Sequence, residues 1–230
     1  MSSVFGRAIE WGLAEHNPAK GIRRNREASR ERFLQSDELP RFFQALATEP
    51  NQVIRDYILL SLLTGARRDN ILSMRWKDFS LPRTEWAIAR TKNGTAQTIP
   101  LSAEAVAILV RRAEDAPRGA IFVFPGDGKS GHLIEPKKGW QRILARAGIE
   151  DLRIHDLRRS LGSWQAKTGA SLAIIGKSLS HKNTQTTAIY ARLDHEPVRE
   201  SVARATAAML AAGGVKPAPK IATPKVIVRK

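Results

Sequence analysis

Ile154-His155-Asp156-Leu157-Arg158-Arg159, followed by Leu179-Ser180-His181 and Ala188-Ile189-Tyr190, places two histidines, two arginines and a tyrosine within one short segment. His155 and Arg158 are three residues apart and share a face if the stretch is helical. A guanidinium beside an imidazole suits the holding and protonation of a phosphate oxygen, and Tyr190 is a candidate nucleophile. Taken singly, each residue has an ordinary reading: Arg158 and Arg159 on a solvated helix face, His181 at a helix end, Tyr190 in a core. Their combination points to phosphate chemistry.

The spacing His155-x-x-Arg158, then Leu179-Ser180-His181, then a tyrosine nine residues after that histidine, resembles the second signature box of the tyrosine recombinases, the phage integrase family. Upstream, Thr64-Gly65-Ala66-Arg67, followed by Leu72 and Arg75-Trp76, resembles the first box, in the right order and separation. The resemblance covers roughly residues 30 to 195. Asn70 stands where the first box usually has a carboxylate, and Ser180 replaces the usual glycine before His181. Neither change removes a reacting group.

Lys and Arg total 38 against 22 Asp and Glu, a net charge of +16. Such an excess favours a polyanionic partner through counterion release and steering, with nucleic acid as the leading candidate, although a ribosomal or membrane-surface protein can be as basic. A chain of 230 residues, 42% hydrophobic, supports one main core with a small appendage. There is no cysteine, which removes disulfides, thiolate nucleophiles and Cys-based zinc sites. No apolar run approaches the ~18 residues of a spanning helix, and the N-terminus lacks a signal pattern. The expectation is a cytoplasmic, nucleoid-associated protein with no membrane partner.

Along the chain, residues 3 to 15 read as a helix closed by Asn17-Pro18. Residues 19 to 33, including Arg23 and Arg24, form a basic stretch suited either to crossing a phosphate backbone or to simple solvation. Ser36 is positioned to cap a helix carrying Leu39, Phe42, Phe43 and Leu46. Val53 to Leu63 is apolar almost all round, so its helix belongs at the centre of the core, with Gly65 as its stop. A short helix through Ile71, Leu72 and Met74 follows. Residues 85 to 91 and 95 to 100 flank Lys92-Asn93-Gly94, a strong hairpin signal because both turn residues accept positive φ.

Ser102 caps a helix with Val106, Leu109 and Val110 inward, and Ile121 to Phe124 reads as a short buried strand ended by Pro125. Gly128-Lys129-Ser130 lacks the P-loop's first glycine, since position 123 is Val, so ATP binding is disfavoured. A basic helix bearing Lys137, Lys138, Arg142 and Arg146 runs from Pro136 to Gly148. The helix from Leu157 ends at Gly169, Ser171 starts another, Thr184 caps a helix bearing Tyr190, and an alanine-rich helix after Pro197 ends at Gly213-Gly214. The expected organisation is a terminal helix of a preceding DNA-binding domain over 1–18, a linker over 19–33, a catalytic domain over 34–196, a C-terminal helix over 197–212 and a basic disordered tail over 213–230. The fold expected is mainly α with a small antiparallel β-sheet.

The resemblance implies a mechanism. Arg67 and Arg158 clamp a scissile phosphate, a task that suits the guanidinium fork. His155 and His181 donate hydrogen bonds and move protons, Tyr190 attacks to leave a 3′-phosphotyrosine bond, and Lys92, at the hairpin turn, protonates the departing 5′ oxygen. That scheme requires no metal, ATP or other cofactor. Arg23, Arg24, Lys137, Lys138, Arg159 and Lys182 are the DNA-contact candidates. The expected partners are double-stranded DNA attachment sites, with a homotetramer on synapsed DNA and a monomer when free. The C-terminal helix would dock either in trans on a neighbouring subunit or on its own domain. Two alternatives remain open at this point: a type IB topoisomerase, which shares the chemistry, and a truncated integrase that binds DNA without recombining it.

Overall fold

The computed structural model describes residues 1–22, 30–89, 96–181, 183–192 and 196–213. The chain divides into two compact units, Met1–Glu31 and Arg32–Lys230. In the first, helix α1 spans Ser2–Glu10 and is shorter than the apolar pattern predicts. Its backbone closes at Trp11, and the Asn17 side chain donates back to the Ser2 carbonyl and hydroxyl, both at 3.1 Å.

The second unit is built around one helix. After α2 (Leu39–Ala47) comes α3 (Gln52–Thr64), capped by the Asn51 side chain at the Ile54 amide and stopped by Gly65 at φ 58°. Ile54, Tyr57, Ile58, Leu60 and Leu62 are all buried, so α3 is covered on nearly every side, as its unbroken apolar composition requires. Its one buried acid, Asp56, is neutralised by Arg111 and Arg112 at 2.5 and 3.3 Å. Beyond α3 lie the short α4 (Arg68–Leu72), then strands β1 (Phe79–Ser80), β2 (Glu85–Ile88) and β3 (Gln97–Pro100) in one antiparallel sheet of order β1-β2-β3. Trp86 pairs with Ile99 and Ile88 with Gln97, so alternate residues of β2 and β3 face the core. The expected hairpin is thus present, while its turn, with Lys92, lies outside the described residues.

Helix α5 (Ala103–Glu114) is capped by Ser102 at the Ala105 amide, and α6 (Lys137–Ala147) stops at Gly148 with φ 60°. Then follow α7 (Ile154–Lys167), α8 (Leu172–Ser178), the single-turn α9 (Thr184–Thr187), a 3₁₀ turn over Ala188–Arg192, and α10 (Glu196–Ala212). Phe42 of α2 meets Trp140 of α6 edge-on at 6.0 Å. The entry of the unit is stitched to α7, where the Leu34 amide donates to Ser160 Oγ at 2.8 Å and Trp164 Nε1 donates to the Leu34 carbonyl at 3.2 Å.

Four local expectations are corrected. Ser36 caps nothing: its hydroxyl accepts from Lys167 Nζ, and α2 starts at Leu39 without a side-chain cap. Val110 faces outward on α5. Residues 121 to 124 make only an isolated bridge between Arg75 and Phe122 instead of a strand, and Ile121 is exposed. Tyr190 lies on the 3₁₀ turn after α9, not on a continuous helix. Among the described residues no helix is long and apolar enough to cross a membrane.

Candidate active site

Three chain segments, one of them distant in sequence from the other two, meet at Arg158. The first is the end of α3, where a Cβ at Gly65 would lie 2.8 Å from side-chain carbons of both Leu161 and Leu179. Glycine therefore serves twice here, accepting positive φ and permitting close approach to α7 and to the chain after α8. Two residues on, Arg67 is the extended N-cap of α4, which points the chain out of the core at the place where the arginine is needed. Among the described residues no hydrogen bond or ion pair engages its half-buried guanidinium.

The second segment is α7. Its start is fixed by Asp156, whose carboxylate accepts from the Arg153 amide at 2.9 Å and lies 3.6 Å from Arg159. One turn of helix then carries His155 at an open position and Arg158 into the interior. The Arg158 guanidinium donates to the Gly65 carbonyl at 2.6 Å and to the Leu179 carbonyl. Both partners are neutral. Burial, and then the charge of Arg67, pull the Arg158 pKa down to about 10, still charged at neutral pH.

The third segment is the turn after α8. Ser180 sits at φ 49°, the left-handed conformation that favours glycine, and the His181 amide closes on the Gly176 carbonyl at 2.9 Å. The usual glycine at this position has a plain physical reason, and serine is strained there. Ser180→Gly is expected to stabilise the fold by about 1 kcal/mol, read as a higher denaturation midpoint; a lower midpoint would contradict the strain.

His181 and Tyr190 stand ring to ring, 6.2 Å between centroids and 2° from parallel. His181 Nδ1 lies 2.9 Å from Thr187 Oγ1. Desolvation, followed by Arg158 and Arg67, lowers the His181 pKa to about 4, and desolvation with Arg158 and Arg159 lowers that of His155. Both rings are neutral at pH 7. Tyr190 is only 2% exposed, and burial raises its pKa in spite of Arg158 and Arg159. Its ring fits against α7 only because residue 162 is glycine: a Cβ there would lie 2.5 Å from Tyr190 Cζ. Sequence reading did not single out Gly162 or Thr187. A lone glycine inside a helical pattern was the available signal for the first.

The structure therefore brings Arg67, His155, Arg158, His181 and Tyr190 into one electrostatic neighbourhood. Lys92, Arg23, Arg24 and Lys182 lie outside the described residues. Lys137 and Lys138 are exposed at the start of α6, whereas Arg159 is held by Asp156. Arg142 and Arg146, part of the same basic helix, are turned to buried Glu49 at 2.5 and 3.5 Å. Among the described residues no carboxylate bonds to Arg67 or Arg158. Two guanidinium groups and two neutral imidazoles beside a tyrosine, with no carboxylate bonded to either guanidinium among the described residues, suit the binding of an anion.

Comparison with known proteins gives the family and the fold. The phage integrase family matches residues 32–196. Prophage integrase IntF of Escherichia coli (strain K12) is 30% identical over 154 residues, covering 65% of this chain and 32% of that protein. The tyrosine recombinase XerA of Pyrococcus furiosus is 30% identical over 201 residues, covering 79% of this chain and 68% of that protein. The match to the shufflon-specific DNA recombinase of Escherichia coli covers 39% of that protein, so the chain spans about a third of the length of these first two Escherichia coli relatives. Among solved structures, a lambda integrase (75–356) dimer bound to a COC′ core site gives a TM-score of 0.61 at 21% identity, covering 80% of this chain and 70% of that one. The XerA recombinase crystal structure gives 0.62 at 17% identity, covering 88% and 72%. The fold, mainly helical with a small three-stranded antiparallel sheet, is that of tyrosine recombinase catalytic domains.

Proposed function

The chain belongs to the phage integrase family, and from that premise we propose that it carries out site-specific DNA recombination, the integration or excision of a mobile element, through a 3′-phosphotyrosine intermediate. The observation that supports this most is the Arg67–Arg158 pair, which bonds to no carboxylate among the described residues and stands beside a buried tyrosine. Tyr190 Oη attacks the phosphorus, the P–O5′ bond breaks, and the phosphate stays on the tyrosine. His155, neutral at pH 7 because its pKa is lowered, takes the phenolic proton. Lys92 gives a proton to the leaving 5′ oxygen. Arg67 and Arg158 hold the non-bridging oxygens, whose growing charge they offset. The reverse reaction with a new 5′ hydroxyl reseals the strand without an outside energy source, since the phosphoester bond is kept.

The DNA contacts assigned are Arg23, Arg24, Lys137, Lys138, Arg159 and Lys182, and the working assembly is a homotetramer on two synapsed attachment sites formed from free monomers. Helix α10 exposes Val202 and Met209, an apolar stripe suited to docking on a neighbouring subunit. Covalent trapping on nicked DNA carrying a candidate attachment site tests the proposal. A 3′-linked protein–DNA adduct is the result expected, and its absence on every nicked site offered would overturn the reading.

A second measurement probes how the nucleophile is placed. Gly162→Ala puts a methyl group 2.5 Å from the present position of Tyr190 Cζ, closer than two carbons can approach, so the ring must move. Cleavage is expected to fall about 10- to 100-fold through misplacement of the attacking oxygen, with DNA affinity unchanged. Thermal stability should hardly change, because alanine gains about 1 kcal/mol of helix propensity over glycine and this opposes the displacement. Cleavage at the unaltered rate would show that the tyrosine does not act from this position.

A further inference from the structure

His181 and Thr187 form a pair whose chemistry bears on the reaction just proposed and rests on that reading. A helical threonine hydroxyl ordinarily bonds to the carbonyl four residues back. Thr187 Oγ1 instead has a single partner among the described residues, His181 Nδ1 at 2.9 Å. Thr187 is 2% exposed, and α8 closes it from the far side: a Cβ on Gly176 would stand only 3.1 Å from the same Oγ1. The His181 main chain is held by that glycine too, through the bond to its carbonyl. Hydroxyl and ring are thus fixed against each other from both ends.

Two proton arrangements satisfy that contact. If Nδ1–H donates to the hydroxyl, the hydroxyl's own proton is left buried without an acceptor among the described residues, and Nε2 presents a lone pair. If the hydroxyl donates to Nδ1, every proton is matched and Nε2 carries the ring's N–H. The second arrangement alone suits a phosphate oxygen, because a lone pair aimed at that oxygen repels it. We propose that Thr187 is a positioning residue that holds His181 in the Nε2–H tautomer, so that the neutral ring serves as a fixed hydrogen-bond donor to the scissile phosphate. The surroundings of His181 agree with this role: desolvation, followed by the charges of Arg158 and Arg67, lowers its pKa to about 4, so in the DNA-free protein near neutral pH the ring offers a hydrogen bond and not a charge. The result is a division of labour between the two histidines, His155 handling protons and His181 orienting the anion.

The test uses the full chain labelled with 15N-histidine, free of DNA, with the His181 signals assigned by loss in His181→Phe. The expected spectrum has Nδ1 unprotonated and Nε2 protonated from pH 8 to about pH 5; an Nδ1–H signal from His181 would overturn the proposal. In Thr187→Val, which keeps the branched shape, a mixture of both tautomers is expected, with cleavage of nicked DNA reduced about 10- to 100-fold at unchanged DNA affinity. Thr187→Ser, which restores the hydroxyl, should recover both the single tautomer and most of the rate. A valine variant that cleaves at the wild-type rate, or a serine variant no better than valine, would also overturn it. If the wild-type chain formed no adduct while its single tautomer and the tautomer mixture of the valine variant were as described, the fault would lie in the reaction assigned to the site and not in the pairing.

Discussion

Replacing Tyr190 with phenylalanine is expected to give a protein that folds, binds DNA with unaltered affinity and salt dependence, and forms no detectable covalent adduct. The hydroxyl makes no hydrogen bond among the described residues, so its removal leaves no partner unmatched, and the buried ring keeps its place against Gly162. The only other tyrosine cannot substitute. Tyr57 is 0% exposed in the centre of α3, edge-on to Phe124 at 5.7 Å, with its pKa raised to about 12 by burial. An adduct that persisted in the variant would remove Tyr190 from the reaction altogether, since neither tyrosine could then be the attachment point. Gel separation under denaturing conditions, with labelled nicked DNA, reads the outcome directly.

Arg158→Lys should lower both cleavage and stability, for separate reasons. The guanidinium reaches two carbonyls at once, Gly65 and Leu179, and a lysine nitrogen cannot span both while also meeting a phosphate. Losing a hydrogen bond from a charged donor costs about 1.5–3 kcal/mol, so denaturant midpoints should fall clearly. Loss of a preorganised donor to the phosphate lowers cleavage by about 10²- to 10³-fold. The salt dependence of DNA binding should hardly change, because the charge is kept. Arg67→Lys supplies the contrast: its guanidinium has no described protein partner, so cleavage should fall with stability intact. If Arg158→Lys left the midpoint unchanged, the two carbonyl bonds would not be carrying the structure as described.

Much of the helical frame was legible because its signals are local. Continuous apolarity placed α3 at the centre, and Ser102, Ser171, Gly65 and Gly148 mark helix ends by chemistry that acts within a few residues. Asn93-Gly94 announced a hairpin whose strands pair as expected on either side. What escaped depends on distant partners. Ser36 has the right chemistry for a cap, but Lys167, far along the chain, engages it instead. Arg142 and Arg146 give α6 a basic look in sequence, yet a buried glutamate from the chain between α2 and α3 holds both. Residues 121 to 124 have the composition of a strand and find only a single bridge. For the candidate site, the spacing of the proposed reacting groups was visible, whereas the features around them were not: the room at Gly162, the hydroxyl of Thr187 and the positive φ of Ser180 become meaningful only when α7, α8 and the tyrosine turn are brought together.

The carbonyls that Arg158 binds lie 93 residues before it and 21 after it along the chain. A ribosome therefore releases Gly65 and Arg67 long before Arg158 has been made, and Arg158 before Leu179, so an emerging polypeptide lacks this arrangement until all of them are out. Heat or denaturant that separates α8 from α3 likewise takes away Arg158's moorings at once. On the proposed function, the ability to break a phosphodiester would arrive, and be lost, together with the completed fold. For a protein proposed to cut and rejoin DNA, this would tie the hazard of cutting to the quality of its folding: a nascent, damaged or half-degraded copy would remain a basic chain without the assembled site.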